Sequence, residues 1–195
     1  MRGPEGRNSN NRGWTRKMTR AALVMPLLAA LLAATAFAPA AQAGIYAEIP
    51  LSMSMDEGKA PDSVSGMGLG YTTSFFLGFS LSSFKGEWQS SSVEYHMLGL
   101  HVVPPIPFVN LRLGLQSGAV MIEPSTIPTT SLRIEEKKAS GMFIHLGFSI
   151  AIVDLHLGVH RIEAEAPIVD MYTGEQFGNV NLGTKITTLG AGISF

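Results

Sequence analysis

Five residues carry the side chains whose chemistry the rest of the chain must position: Glu48, Arg112, His145, His156 and His160. A carboxylate and a guanidinium can form an ion pair, and histidines can bind a metal ion or change charge near neutral pH. The chain contains no cysteine, which excludes a disulfide scaffold, a cysteine-ligated metal site and a thiol nucleophile. What the five side chains do therefore depends on the elements that bring them together.

All five residues lie in stretches where large apolar residues alternate with small or polar ones. The even-numbered residues from 144 to 152 are Ile, Leu, Phe, Ile and Ile, and His145 lies between the first two. His156 and His160 alternate in the same way with Leu155, Leu157 and Val159. A period of two indicates β-strands, so each of the five polar side chains is expected on the face opposite the large apolar residues.

The alternation predicts eight strands, at 44–55, 63–73, 75–85, 92–103, 108–121, 138–152, 155–165 and 178–195. The charged residues concentrate in four segments that follow the odd-numbered strands, at 56–62, 85–94, 123–138 and 161–175. The connections after the even-numbered strands are short. Uncharged strands joined alternately by short turns and charged loops are typical of strands that cross a hydrocarbon layer.

A transmembrane helix fits poorly, because the uncharged residues 63–84 alternate at period two instead of 3.6. A soluble β-sandwich remains an alternative, since periodicity alone does not tell which face meets water. The face opposite the apolar residues consists largely of Gly and Ser, which would make a poor outer surface in water. We therefore predict an all-β fold, an eight-stranded antiparallel up-and-down transmembrane β-barrel with its apolar face toward lipid.

Residues 1–43 are predicted to be a cleavable signal peptide, followed by the barrel at 44–195. Arg16, Lys17 and Arg20 precede the apolar residues 21–38, and Ala41-Gln42-Ala43 is a small-x-small cleavage site. Cleavage is expected after Ala43. Outside this segment the chain has no cluster of Lys or Arg, which argues against nucleic acid as a partner.

The chain resembles the small eight-stranded bacterial outer-membrane β-barrels of OmpA/OmpX-type architecture. The signal peptide, the eight alternating segments and the last strand carry this resemblance, and on that strand Leu189, Ala191, Ile193 and Phe195 share one face. The resemblance implies location in the cell outer membrane and contact with its lipid and lipopolysaccharide. A monomer is expected, although the sequence itself does not determine the oligomeric state. It also implies that those four residues are the insertion signal read by the barrel-insertion machinery.

Glu48 and Arg112 lie on the first and fifth strands, which face each other across an eight-stranded barrel. We predict a cross-lumen ion pair that plugs the interior, with a proton or ion path as the alternative. For the three histidines we predict a hydrogen-bonding role, no cofactor and no metal ion. A metal site is the alternative, and no carboxylate lies at a fixed ligand spacing on their strands.

Some barrels of this architecture are lipid A deacylases with a His-x-Ser pattern, and no histidine of this chain is followed two residues later by serine. We therefore predict a non-enzymatic outer-membrane protein that contributes to envelope structure or presents surface loops. The alternative is a narrow channel or carrier for a small solute, including an apolar one, because many lumen positions are glycine. Hydrated loops are predicted for Glu135-Glu136-Lys137-Lys138 and for the acidic residues Glu163, Glu165, Asp170 and Glu175. Divalent-cation binding between lipopolysaccharide headgroups is the alternative.

Two local features are also predicted. Val153-Asp154 is expected to form a two-residue turn, in which Ile152 faces Leu155 and Ala151 faces His156. Pro50 lacks the N–H that a closed barrel requires of every strand residue, so a bulge or a late strand start is expected there.

Overall fold

The computed structural model describes residues 43–56, 60–88, 91–106, 109–124 and 130–195. The predicted signal peptide, apart from Ala43, lies outside these described residues. No helix in the described ranges is long and apolar enough to cross a membrane. The strands are β1 (Gly44–Met55), β2 (Ser63–Thr72), β3 (Leu77–Trp88), β4 (Ser91–Val102), β5 (Asn110–Glu123), β6 (Leu132–Ile134), β7 (Lys137–Ile150), β8 (Val153–Asp170), β9 (Gln176–Asn181) and β10 (Thr184–Ser194).

Eight of the strands form a closed antiparallel barrel in the order β1, β2, β3, β4, β5, β7, β8 and β10, and β10 returns to pair with β1. The predicted all-β, eight-stranded up-and-down barrel is therefore confirmed. The last predicted strand, 178–195, is wrong as a single element, because β9 and β10 divide it. The seventh predicted strand, 155–165, is longer than predicted and runs from Val153 to Asp170.

The outer face of the barrel is apolar on every strand. Leu115, near the middle of β5, is 69% exposed, and Leu100, near the turn end of β4, is 70% exposed, although both are large aliphatic side chains. Each barrel strand contributes at least one such side chain, for example Ile49, Leu69, Leu81, Leu100, Leu115, Ile144, Leu157 and Leu189. A continuous apolar ring of this kind is far larger than the apolar patches that soluble monomers expose.

The lumen is filled, and its two halves differ in polarity. The half nearer the charged loops holds a packed apolar cluster that includes Met53, Phe84, Val93, Tyr95, Ile162 and Ile186. The hydroxyl of Tyr95 donates a hydrogen bond to the carbonyl oxygen of Leu182 at 2.7 Å, so the polar end of this ring is satisfied. The half nearer the short turns holds the polar residues described below.

A β-bulge in β1 lies where Pro50 predicts one. Pro50 pairs with Thr188 and Ser52 pairs with Thr187, so Leu51 is the extra residue. The bulge reverses the inward and outward alternation beyond it, because one residue has no partner. Met53 therefore points into the lumen and pairs with buried Ile186, although the sequence alternation predicts it on the lipid face.

The turn between β7 and β8 is two residues earlier than predicted. Ile150 pairs with Val153, so the turn residues are Ala151 and Ile152, and Ala151 has a positive φ of 55°. The predicted pairings across this turn are wrong: His156 faces Gly147, and Leu155 faces Phe148. The shift moves Asp154 from a solvated turn to the second residue of β8, where its side chain is buried.

A small extension continues β8 beyond the barrel on the loop side. The last residues of β8 pair with β6 on one edge and with β9 on the other. The turn between β8 and β9 is closed by a hydrogen bond from Gly174 N–H to the carbonyl oxygen of Asp170 at 2.9 Å. The predicted charged loops at 123–138 and 161–175 thus contain ordered strands as well as turns.

Candidate functional site

The polar half of the lumen contains an ion pair between Arg112 and Asp154. Arg112 Nη2 donates to Asp154 Oδ2, and Asn110 Nδ2 donates to the same oxygen. The guanidinium also lies over the ring of Tyr46, with Cζ 4.4 Å from the ring centroid, which is a favourable cation–π distance. The predicted pairing of Arg112 with Glu48 is therefore wrong, because a nearer carboxylate neutralises the arginine.

Asp154 is a residue that the sequence interpretation missed, because aspartate is a common turn former and was assigned to the turn. Its position still contained a signal. Asp154 is two residues before His156 and six before His160, so a strand that began earlier would place all three on one face. A buried arginine without a partner would be costly, which favours the register that brings this carboxylate to Arg112.

The second group of lumen residues surrounds the Glu48 carboxylate, and we call it the Glu48 cluster: Glu48, His145, His160, Gln116 and Thr188. Glu48 Oε2 lies 3.3 Å from His145 Nε2 and 3.2 Å from His160 Nε2. The two Nε2 atoms are 3.3 Å from each other. The hydroxyl of Thr188 donates to the same Oε2 atom at 2.6 Å. Three ring and carboxylate atoms therefore converge on one point between β1, β7 and β8.

Glycines make room for the cluster. Gly158 faces His145 across β7 and β8, and a Cβ atom there would collide with the Thr188 hydroxyl and the His145 ring. Gly190 pairs with Glu48, and a Cβ atom there would overlap the His156 ring. The glycine-rich lumen face thus lets large polar side chains meet and pack against each other.

His156 and His101 lie beside the cluster without joining its point of convergence. The ring of His156 stacks on that of His145, with centroids 5.0 Å apart and an angle of 14° between the planes. Its Nδ1 accepts from Arg112 Nη1 at 3.3 Å, since a guanidinium can only donate. The hydroxyl of Thr72 and Nε2 of His101 form a hydrogen bond of 3.0 Å. His145 therefore contacts both His156 and His160 directly, whereas His101 reaches them through the rings of Tyr46 and Phe143.

The arrangement can neutralise charge inside the barrel, and it can also hold a metal ion. Glu48, His145 and His156 each offer one ligand atom within 4.8 Å of those of the other two. Nε2 of His160 lies closer still, 3.2 Å from Glu48 Oε2 and 3.3 Å from His145 Nε2, so it is the nearer candidate for the third ligand. The described part of the chain offers no lysine or arginine within ion-pair distance of Glu48, so the ionisable groups in contact with this carboxylate there are histidines.

The acidic loop residues behave differently from the lumen groups. Asp170 accepts hydrogen bonds from the Ser131 hydroxyl at 2.5 Å and from the backbone N–H groups of Tyr172 and Thr173 at 2.8 and 2.9 Å. These hydrogen bonds lower the pKa of the Asp170 carboxyl group to about 2, and the bond from Ser131 has the largest effect. The carboxylate thus organises the turn after β8. Arg161 pairs with Asp56 across the barrel rim at 2.9 Å.

Three residues of the predicted insertion signal lie on the outer face of β10, and the fourth, Phe195, directly follows this strand. Leu189, Ala191, Ile193 and Phe195 are all exposed, as their shared parity predicts. Recognition of these four residues by the barrel-insertion machinery stays a prediction.

Solved outer-membrane proteins share this fold. The crystal structure of Neisserial surface protein A is 12% identical, matches 78% of this chain and 96% of that chain, and has a TM-score of 0.52. The outer membrane protein AlkL, solved by solid-state NMR in DMPC lipid bilayers, is 14% identical, matches 79% of this chain and 90% of that chain, and has a TM-score of 0.50. No protein-family model matches the chain, and no curated protein matches it significantly. The likeness is one of fold: the chain has the small eight-stranded outer-membrane barrel fold that its sequence resembles.

Proposed function

We propose that this chain is a non-enzymatic outer-membrane β-barrel with a closed lumen, which contributes to envelope structure and presents the β6–β8–β9 extension at the cell surface. The observation that carries the proposal is the apolar ring on all eight barrel strands. Water would disfavour so much exposed aliphatic surface by about 25 cal/mol for each Å², whereas lipid chains accept it without cost.

The height of the ring suits an outer membrane. On β7 the outward apolar side chains run from Met142 to Ile150, about 27 Å along the strand at 3.4 Å per residue. The strand tilt of such barrels, about 40°, reduces this to about 21 Å along the barrel axis, close to the apolar band of about 25 Å that is usual for them. The charged loops and the extension lie beyond the ring on one side, and the short turns lie beyond it on the other.

The filled lumen supports a structural role over transport. Phe84, Tyr95, Phe143 and Ile162 are almost completely buried between the strands, and the polar residues below them bond to one another. A channel needs a continuous aqueous path, and eight strands enclose an interior that side chains alone can fill.

Cell fractionation combined with a heat-modifiability gel tests the location and the fold together. We expect the protein in the outer-membrane fraction, with a changed mobility when the sample is boiled before electrophoresis. Recovery in the soluble periplasmic fraction would contradict the proposal.

Reconstitution in planar bilayers should give no stepwise conductance, and regular openings that a solute blocks would favour a channel instead.

Arginine substitutions at two depths provide a sharper test of the lipid face. Leu115 lies near the middle of β5 and points outward, so Leu115→Arg should destabilise the barrel in lipid vesicles by about 2–4 kcal/mol. Met121 lies near the loop end of the same strand, and Met121→Arg should cost about 0–1 kcal/mol. Equal tolerance of both substitutions in urea unfolding would indicate that this face meets water.

A further inference from the structure

We propose that the Glu48 cluster is a binding site for a divalent transition-metal ion of the zinc type, with Glu48 Oε2, His145 Nε2 and His160 Nε2 as its protein ligands. The proposal rests on lumen geometry alone and is independent of the role of the barrel in the envelope. It replaces the sequence-based expectation that the histidines serve only as hydrogen-bonding groups.

The three ligand atoms form a nearly equilateral triangle with sides of 3.2, 3.3 and 3.3 Å. Zinc binds histidine nitrogen and carboxylate oxygen at about 2.0–2.1 Å with tetrahedral geometry, so two of its ligands lie about 3.3 Å apart. The triangle therefore has the dimensions of one face of a zinc coordination tetrahedron. Magnesium and calcium prefer oxygen ligands, whereas zinc and its neighbours in the first transition row also bind imidazole nitrogen well. A site of two histidines and one carboxylate therefore favours zinc over magnesium or calcium.

A second observation concerns the protons. With the Gln116 amide as placed, its oxygen accepts from Nδ1 of His160 at 3.2 Å, and in a neutral ring this leaves the lone pair on Nε2. That lone pair faces Glu48 Oε2, which is also an acceptor, at 3.2 Å. Two acceptors at this distance repel each other unless a proton or a metal ion lies between them, and a metal ion can bind both while the ring stays neutral. The Gln116 contact is the kind of outer hydrogen bond that orients a metal-binding histidine.

A third observation concerns charge. Glu48 is 2% exposed, and the only arginine buried with it in the described lumen is paired with Asp154. A buried carboxylate requires a nearby positive charge, which here comes either from a protonated histidine of the cluster or from a bound cation. A divalent ion between Glu48, His145 and His160 supplies that charge and satisfies all three lone pairs at once. It would also tie β1, β7 and β8 together across the lumen.

The test uses the full chain, extracted from membranes in detergent, freed of metal with a chelator and titrated with Co²⁺. We expect one Co²⁺ per chain, with the intense visible d–d bands of a tetrahedral site, and displacement by Zn²⁺ but not by Mg²⁺. Elemental analysis of the protein after exposure to Zn²⁺ should give the same ratio. Absence of stoichiometric binding to the folded protein would overturn the proposal.

Variants separate this site from adventitious binding. His145→Gln and His160→Gln should each abolish the d–d bands, while Gln116→Leu, which keeps all three ligands, should weaken Co²⁺ binding about 10–100-fold. His101→Gln, in the same lumen, and His96→Gln, at the exposed His96–Glu94 pair, should bind as the unaltered protein does. Heat-modifiability gels identify which variants fold. If a variant of a ligand residue does not fold, Gln116→Leu still tests the site. Binding that survives His145→Gln and His160→Gln, or that disappears with His96→Gln, would contradict the assignment.

Discussion

At the scale of single residues, the stability of the barrel depends on which charged side chains pair in the lumen. Arg112 and Asp154 are 5% and 1% exposed, so removing either partner leaves the other as a buried charge. We expect Arg112→Met and Asp154→Asn each to reduce the free energy of unfolding by about 3–5 kcal/mol, and the double variant to recover part of the loss. Urea unfolding in lipid vesicles measures the cycle.

The matched comparison is a second cycle with Arg112→Met and Glu48→Gln. Because Glu48 contacts histidines and Thr188 instead of the guanidinium, its coupling to Arg112 should be smaller than that of Asp154. A stronger coupling of Arg112 to Glu48 than to Asp154 would instead support the Glu48–Arg112 ion pair that the sequence predicts.

The sequence could place single residues on a face, and it could not choose their partners. Strand parity puts Glu48, Arg112 and His145 on the lumen face, where the structure has them. The choice of Asp154 over Glu48 depends on a turn shifted by two residues, a change that preserves parity and so leaves no trace in the alternation. Contacts across the lumen depend on stagger around the whole barrel, which no single strand encodes.

At the scale of elements, the bulge in β1 determines which side chains fill the loop half of the lumen. Met53 is 3% exposed and packs in the apolar cluster, while Ile49, before the bulge, points outward. We expect Met53→Ala to cost about 2–5 kcal/mol of unfolding free energy, because it leaves a cavity. Ile49→Ala leaves no enclosed cavity and should cost less.

Thermal or urea unfolding of the two variants under identical lipid conditions makes this comparison. A larger loss of unfolding free energy for Ile49→Ala than for Met53→Ala would mean that the alternation continues through Pro50 without a bulge.

The missing N–H of Pro50 predicts the bulge from the sequence, whereas the reversal of the alternation beyond the bulge is visible only in the pairing of β1 with β10. The division of the last predicted strand also needed the structure, since β9 pairs with the end of β8 outside the barrel.

At the scale of the whole molecule, the charged loops and the short turns lie at opposite ends. We expect an epitope tag inserted at Gly174, in the exposed turn between β8 and β9, to be reachable by antibody on intact cells. A tag at Pro105, in the turn after β4, should be reachable only after the outer membrane is permeabilised. Labelling of the Pro105 tag alone on intact cells would reverse the orientation.

The seam between β1 and β10 joins parts of the chain that are far apart in sequence, and this has a consequence for the order of folding events. The bond from Thr188 to Glu48 spans 140 residues, whereas that from Ser83 to Glu94 spans 11 within one hairpin. Long loops close at a greater entropic cost, so the seam should form after the rate-limiting step. Thr188→Val should then accelerate unfolding with little change in the folding rate, while Ser83→Ala should slow folding. Time-resolved gel-shift assays of insertion into vesicles would distinguish the two kinetic signatures, and slowed folding of Thr188→Val would show that the barrel closes early.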